Sequence, residues 1–123
     1  MKITGFSPII VSKEPEKLIE LFEDLGFEKA HLKTGIENGA NETTTLKDEN
    51  GNRINIASTK VDRQDITAVN INVDNFEEAY DLFISHGFVN PRGDKVTDTG
   101  SSKATMLFAP SGAAVNLVEH IKD

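Results

Sequence analysis

Alternation and helical spacing divide the chain into two runs with the same order of elements. Lys2–Val11 reads as a strand, and Ser12-Lys13-Glu14-Pro15 ends it, with Ser12 placed to cap and Pro15 suited to a first helical turn. Leu18, Leu21, Phe22 and Leu25 then recur at helical spacing, which predicts one amphipathic helix with a single buried stripe, stopped by Gly26. Phe27–Glu37 is extended up to an Asn38-Gly39 turn, and Thr43–Lys47 is a short strand. Asp48-Glu49-Asn50-Gly51 turns the chain into Arg53–Ser58. Lys60–Gln64, charged and without pattern, is the one candidate linker.

Beyond it, ITAVNINV (Ile66–Val73) alternates strictly enough to be a half-buried strand. Asp74 or Asn75 is placed to cap a helix whose stripe is Phe76, Ala79, Tyr80 and Phe83, and Gly87 stops it. Val89–Val96, interrupted by Pro91 and Gly93, predicts an irregular or edge strand. Asp98–Ser102 is a turn, and Lys103–Phe108 and Ala113–Glu119 are the last strands. Each half therefore reads β, α, β, β, β.

The halves also match residue by residue. Gly51 and Gly112 lie 61 positions apart, as do Ile54/Val115, Asn55/Asn116, Ile56/Leu117, Phe22/Phe83 and Phe27/Phe88. A chain of 123 residues is one domain's worth, so the duplication predicts a single domain, residues 1–123, built of two modules at about 1–59 and 65–121.

Composition narrows the function. The formal charge is −7 and no Lys/Arg cluster is present, so neither nucleic acid nor an anionic membrane has a matching surface. Cysteine is absent, which removes disulfides, thiolate catalysis and sulfur-ligated zinc. No apolar run is long enough to cross a bilayer and the start carries no signal pattern, so a soluble, cytoplasmic protein is expected. No phosphate-binding loop, dinucleotide fingerprint or nucleophile elbow occurs.

Two βαβββ modules, each with a helix ending in Gly-Phe and a glycine turn before the last strand, resemble the vicinal oxygen chelate superfamily. That group contains glyoxalase I, bleomycin-resistance proteins, fosfomycin-resistance enzymes and extradiol dioxygenases. The matching stretches are VSKEPEKLIELFEDLGFE, LKDENGNRINIA, VDNFEEAYDLFISHGF and FAPSGAAVNLVE, which together cover nearly the whole chain. The resemblance implies an α+β fold whose curved eight-stranded mixed sheet forms a cup with the helices outside, and commonly a homodimer. Its enzymes hold a divalent metal through a His five residues before the Val that ends each opening strand, and a Glu or His in each closing strand. Carried onto this chain, those positions are Phe6, Ala68, Asn55 and Asn116. None is an imidazole or a carboxylate, and a neutral amide oxygen is a weak ligand for a divalent cation. No metal and no cofactor are therefore expected.

Strand alternation predicts what lines the cup. Val69, Ile71 and Val73 should pack under a helix, leaving Ala68, Asn70 and Asn72 on the other face. Ile54 and Ile56, with Val115 and Leu117, should also face helices, leaving Arg53, Asn55 and Asn116 for the cup. In the opening strand Gly5, Ser7, Ile9 and Val11 are expected toward the helix, and Phe6, Pro8 and Ile10 toward the cup. An apolar wall with four asparagines and one arginine is the form of a small-molecule pocket.

Three histidines remain. His86, at a helix end, reads as structural, whereas His31 and His120 could approach the rim without matching a ligand position. The acidic run Glu14, Glu16, Glu20, Glu23 and Asp24 reads as a solvated helix face. The expected function is a metal-free small-molecule binding protein of the bleomycin-resistance type, sequestering an antibiotic or metabolite, with no catalytic residue. The alternative is a lyase or isomerase of the glyoxalase superfamily whose acid–base groups are non-standard, His31 or His120.

Overall fold

The structure, a computed structural model, describes residues 1–34 and 42–120, with the side chains of all of these except 31–34 and 42. The expected Asn38-Gly39 turn lies outside the described residues. The elements are β1 (Ile3–Ser12), α1 (Pro15–Asp24), β2 (Glu28–Thr34), β3 (Glu42–Lys47), β4 (Arg53–Ser58), β5 (Ile66–Val73), α2 (Phe76–Ser85), β6 (Thr97–Asp98), β7 (Ser102–Phe108) and β8 (Ala114–His120). The architecture is α+β. Eight strands form an open mixed sheet in the order β2-β3-β4-β1-β5-β8-β7-β6. Strands β1 and β4 pair in parallel, as do β5 and β8, while β2–β3, β3–β4, β6–β7 and β7–β8 are antiparallel. Two compact units result, one of residues 7–67 and one of residues 1–6 with 68–123.

The sequence repeat is also a repeat of register. Ile9 lies opposite Asn55 in the first module and Asn70 opposite Asn116 in the second. Lys47 lies opposite Arg53, and Phe108 opposite Ala114. The closing turns correspond as well. Asp48 N–H donates to the Asn52 carbonyl at 3.0 Å and Ala109 N–H to the Ala113 carbonyl at 2.9 Å. Gly51 at φ +88° and Gly112 at φ +103° supply the left-handed residue that each turn requires. The Gly-Phe stop works by the same means twice: Phe27 closes edge-on to Phe22 at 5.5 Å, and Phe88 to Phe83 at 5.1 Å.

Each unit has its own core on its helix side. In one, Leu46, Ile54 and Ile56 are buried, with Ile10, Leu18, Ile19, Phe22 and Phe27 packed against them. The stripe of α1 that packs on this core is thus Leu18, Ile19 and Phe22, each half-buried, not the expected Leu18, Leu21, Phe22 and Leu25; Leu21 and Leu25 are exposed. Leu21 lies off the centre of that stripe around the helix, and Leu25 lies past the last helical residue, where the chain has already turned. In the other unit Ile71, Val73, Phe76, Ala79, Leu107, Val115 and Leu117 are buried, with Val69, Tyr80, Phe83, Phe88 and Val96 around them.

Helix α2 starts on Asn75, whose side chain accepts from Glu78 N–H at 3.1 Å. Glu119 Oε1 on β8 accepts from Phe76 N–H at 2.7 Å and so places a carboxylate on the positive end of the same helix. Helix α1 has no side-chain cap. Glu14 occupies the cap position, and Ser12 Oγ accepts from Glu14 N–H at 3.0 Å, ahead of the helix. His86 is the C-terminal cap residue of α2.

The β3–β4 turn carries a pH dependence. The Asn52 side-chain amide, at 2.7 Å, and the backbone N–H groups of Asn52 and Asn50 hold the Asp48 carboxyl below its ordinary value of 3.8. A carboxyl depressed in the folded state stabilises the fold above its unfolded pKa, and that contribution disappears as pH falls through the folded value. Asp48→Ala is expected to flatten the acid limb of a stability-against-pH curve below about pH 4. Denaturant midpoints measured across that range check it, and parallel curves for variant and parent would contradict it.

Candidate functional site

Two short hydrogen-bonded chains occupy the sheet face opposite the helices, one in each unit. In the unit of residues 7–67, Thr45 Oγ1 donates to Asn55 Oδ1 at 2.9 Å, and Asn55 Nδ2 donates to Ser7 Oγ at 2.9 Å. In the other, Asn116 Nδ2 donates to Asn70 Oδ1 at 2.8 Å, and Asn70 Nδ2 donates to Asn72 Oδ1 at 3.4 Å. The two buried amides, Asn55 at 7% exposure and Asn70 at 8%, sit at the centre of their chains. Burial of an amide is tolerated because its partners are in place. Ala68 is buried, while Asn72 and Asn116 are half-buried. Among the described residues no buried side-chain polar atom lacks a partner.

These contacts reverse the expected faces of β1. Ile10 belongs to the helix-side core, and alternation puts Phe6 and Pro8 on Ile10's face, where Phe6 is 69% exposed. Phe6, Pro8 and Ile10 therefore do not share the face of the asparagines. Gly5, Ser7 and Ile9 do: Ser7 bonds Asn55, and a Cβ on Gly5 would meet Asn72 Nδ2 at 2.9 Å. A side chain on Gly5 would therefore push against the Asn72 amide. Sliding a strand by one residue moves every side chain to the other face. The signal that could have prevented the error was in the sequence, since Phe6 and Ala68 are 62 positions apart, whereas the repeat of 61 pairs Ala68 with Ser7.

Other residues follow from register. Arg53 is exposed and lies opposite Lys47, also exposed, so two cations stand side by side at the start of β4. His31 lies opposite Thr45, which in turn lies opposite Asn55; the His31 side chain is outside the described residues. His120 ends β8 opposite Ser102. Residues the sequence reading missed are Ser7, Gly5 and Thr45.

With the faces of β1 corrected, the positions for which the resemblance implies metal ligands are Ser7 and Asn55 in one unit, Ala68 and Asn116 in the other. A hydroxyl, two carboxamides already committed to neighbours and a methyl do not fit a divalent cation, which needs imidazole, carboxylate or several free oxygens. Among the described residues no three His, Asp or Glu side chains converge on one point. A groove of about 540 Å³ lies elsewhere, between the start of α1 and residues 62–65. Its charges neutralise one another, Lys13 pairing with Asp62 and Lys17 with Glu14 at 3.1 Å.

Mixed-sheet βαβββ modules with parallel β1–β4 and β5–β8 contacts define the glyoxalase fold, and solved structures agree. Methylmalonyl-CoA epimerase from Mycobacterium tuberculosis superposes with a TM-score of 0.67 at 15% identity, over 96% of this chain and 89% of that one. A glyoxalase/bleomycin resistance protein/dioxygenase superfamily member from Vibrio splendidus 12B01 gives 0.61 at 13% identity, over 96% and 99%. Glyoxalase I from Zea mays gives 0.65 at 15% identity, over 96% of this chain and 43% of that one. The chain therefore has the fold of the vicinal oxygen chelate superfamily. No protein-family model matches the sequence, and no curated protein does. No helix among the described residues is long and apolar enough to cross a membrane.

Proposed function

We propose that this protein binds a small molecule on its polar sheet face without a bound metal, and acts by sequestration of an antibiotic or metabolite rather than by turnover. The observation that carries the reading is the pair of carboxamides, Asn55 and Asn116, at the two register positions where the resemblance calls for anionic or imidazole donors. The neighbour described as a glyoxalase/bleomycin resistance protein/dioxygenase superfamily member supports the superfamily's fold for this reading. In the unit of residues 1–6 and 68–123 the groups offered to a ligand are Asn72, half-buried over Gly5, with Ala68, Asn70 and Asn116; in the unit of residues 7–67 the exposed Arg53 suits a carboxylate or phosphate. The protein is placed in the cytoplasm as a homodimer in this reading.

A second reading has one observation in its favour. The register brings His31 into line with Thr45 and Asn55, and the structural neighbours include an epimerase and glyoxalase I. In that reading the chain is a lyase or isomerase with His31 as the proton carrier.

Elemental analysis after purification from metal-rich medium separates them from a conventional metalloenzyme. Less than a tenth of an equivalent of metal is expected per chain, and one tightly held ion would overturn the metal-free reading. Native mass spectrometry of the same preparation identifies what co-purifies. Added at about 100 times its dissociation constant, that compound is expected to raise stability by about 2.7 kcal/mol, and Asn72→Leu with Arg53→Gln to abolish the gain.

A further inference from the structure

The second module departs from the repeat at the strand after its helix, and the departure builds something. In the first module β2 runs alongside β3 from Glu28 to Thr34. In the second, the corresponding strand makes one bridge, Val89 to Phe108, then leaves the edge of β7 and rejoins it only at Thr97 and Asp98. The arch between them is fixed from inside by Asn90, which is 5% exposed. Its Nδ2 donates to Tyr80 Oη at 3.2 Å and to the Lys95 carbonyl at 2.9 Å, and its Oδ1 accepts from Arg92 N–H at 3.0 Å. Gly93, at φ +81°, turns the arch.

The arch places Arg92 back against the sheet edge. Arg92 Nη1 donates to Thr97 Oγ1 at 3.3 Å, and Nη2 donates to Thr105 Oγ1 at 3.3 Å, where Thr105 is 2% exposed. Two of the five guanidinium N–H groups are thereby used on neutral hydroxyls, and three remain. Among the described residues no carboxylate forms an ion pair with Arg92, although Asp94 and Asp98 lie close in sequence and the chain carries an excess of acids. A lysine or a mobile arginine would have served as a solvated surface charge. A guanidinium oriented by two threonines, on a backbone locked by a buried amide, is pre-organised for a planar or tetrahedral oxyanion.

We propose that the Asn90–Thr97 arch is an anion site, in which Arg92 receives the carboxylate or phosphate group of a small molecule. It uses none of the asparagines of the polar face, nor Arg53, and stands or falls independently of that reading. Amide NMR titration of the full chain with inorganic phosphate, and in parallel with acetate, at low ionic strength tests it. Saturable shifts confined to Gly93, Thr97 and Thr105, with a dissociation constant in the low-millimolar range, are expected for at least one anion, and which one saturates assigns the group. Arg92→Gln is expected to remove saturation. Thr97→Val, which leaves every charge in place and only frees the guanidinium, is expected to weaken binding several-fold and remains informative if Arg92→Gln fails to fold. Shifts that rise linearly, spread over the surface or survive in Thr97→Val at parental affinity would show an adventitious ion only and overturn the proposal.

Discussion

Replacing Leu117 with alanine is expected to lower the free energy of unfolding by about 3–4 kcal/mol. Leu117 is fully buried in β8, with Leu107, Val115, Ile71 and the α2 residues Phe76 and Ala79 in the same core. The change removes three carbons from a close-packed site, and two well-ordered strands flank it, so the cavity closes only in part. Its counterpart by the repeat, Ile56, is as deeply buried in the other unit beneath Leu18, Ile19 and Phe22. Ile56→Ala should cost a similar amount. Urea titrations of both variants check the pair, and a loss below about 1 kcal/mol at either site would mean that the corresponding core is not packed as described.

The second large effect concerns Asn55. Asn55→Leu is expected to destabilise the protein by about 2–3 kcal/mol, because it strips the buried Ser7 hydroxyl of its donor and Thr45 of its acceptor while placing a methyl-bearing chain between them. Asn116→Leu, at the equivalent register position, should cost only about 1 kcal/mol. Asn116 is half-buried and bonds a single partner, Asn70, which keeps its contact to Asn72. Two residues that the repeat makes formally equivalent are thus predicted to separate by about 1–2 kcal/mol, roughly 5- to 30-fold in equilibrium constant. Equal costs would show that the Thr45–Asn55–Ser7 chain does not form.

Much of the fold was legible in the residues because the same instructions are written twice. Gly26-Phe27 and Gly87-Phe88 stop both helices, Gly51 and Gly112 turn into both closing strands, and each of those strands alternates cleanly enough to assign its faces. Strand β1 was the exception. Its apolar residues, Phe6, Ile9, Ile10 and Val11, occupy both phases of the alternation, so hydrophobicity alone selects neither face. Packing decided the matter, because Ile10 packs against the cluster of Leu46, Ile54 and Ile56 while Ser7 meets Asn55. The stripe of α1 failed for a related reason: helical spacing nominates Leu21 and Leu25, but a helix of 10 residues lays only one narrow face on a sheet.

The order of elements, the duplication, the glycine turns and the lack of imidazole and carboxylate at the equivalent ligand positions were determined by the amino-acid sequence alone, since each depends on local backbone chemistry or on residue identity. Tertiary structure decided which face of β1 joins the asparagines, that Asn55 bonds Ser7 and Thr45 while Asn70 bonds Asn72 and Asn116, that Glu119 serves α2, and that Arg92 is held by Thr97 and Thr105. All of these are partnerships between residues distant in sequence or separated by an irregular arch. A side chain's partner is set by which strands lie beside it, and that is a property of the assembled sheet rather than of any stretch of chain.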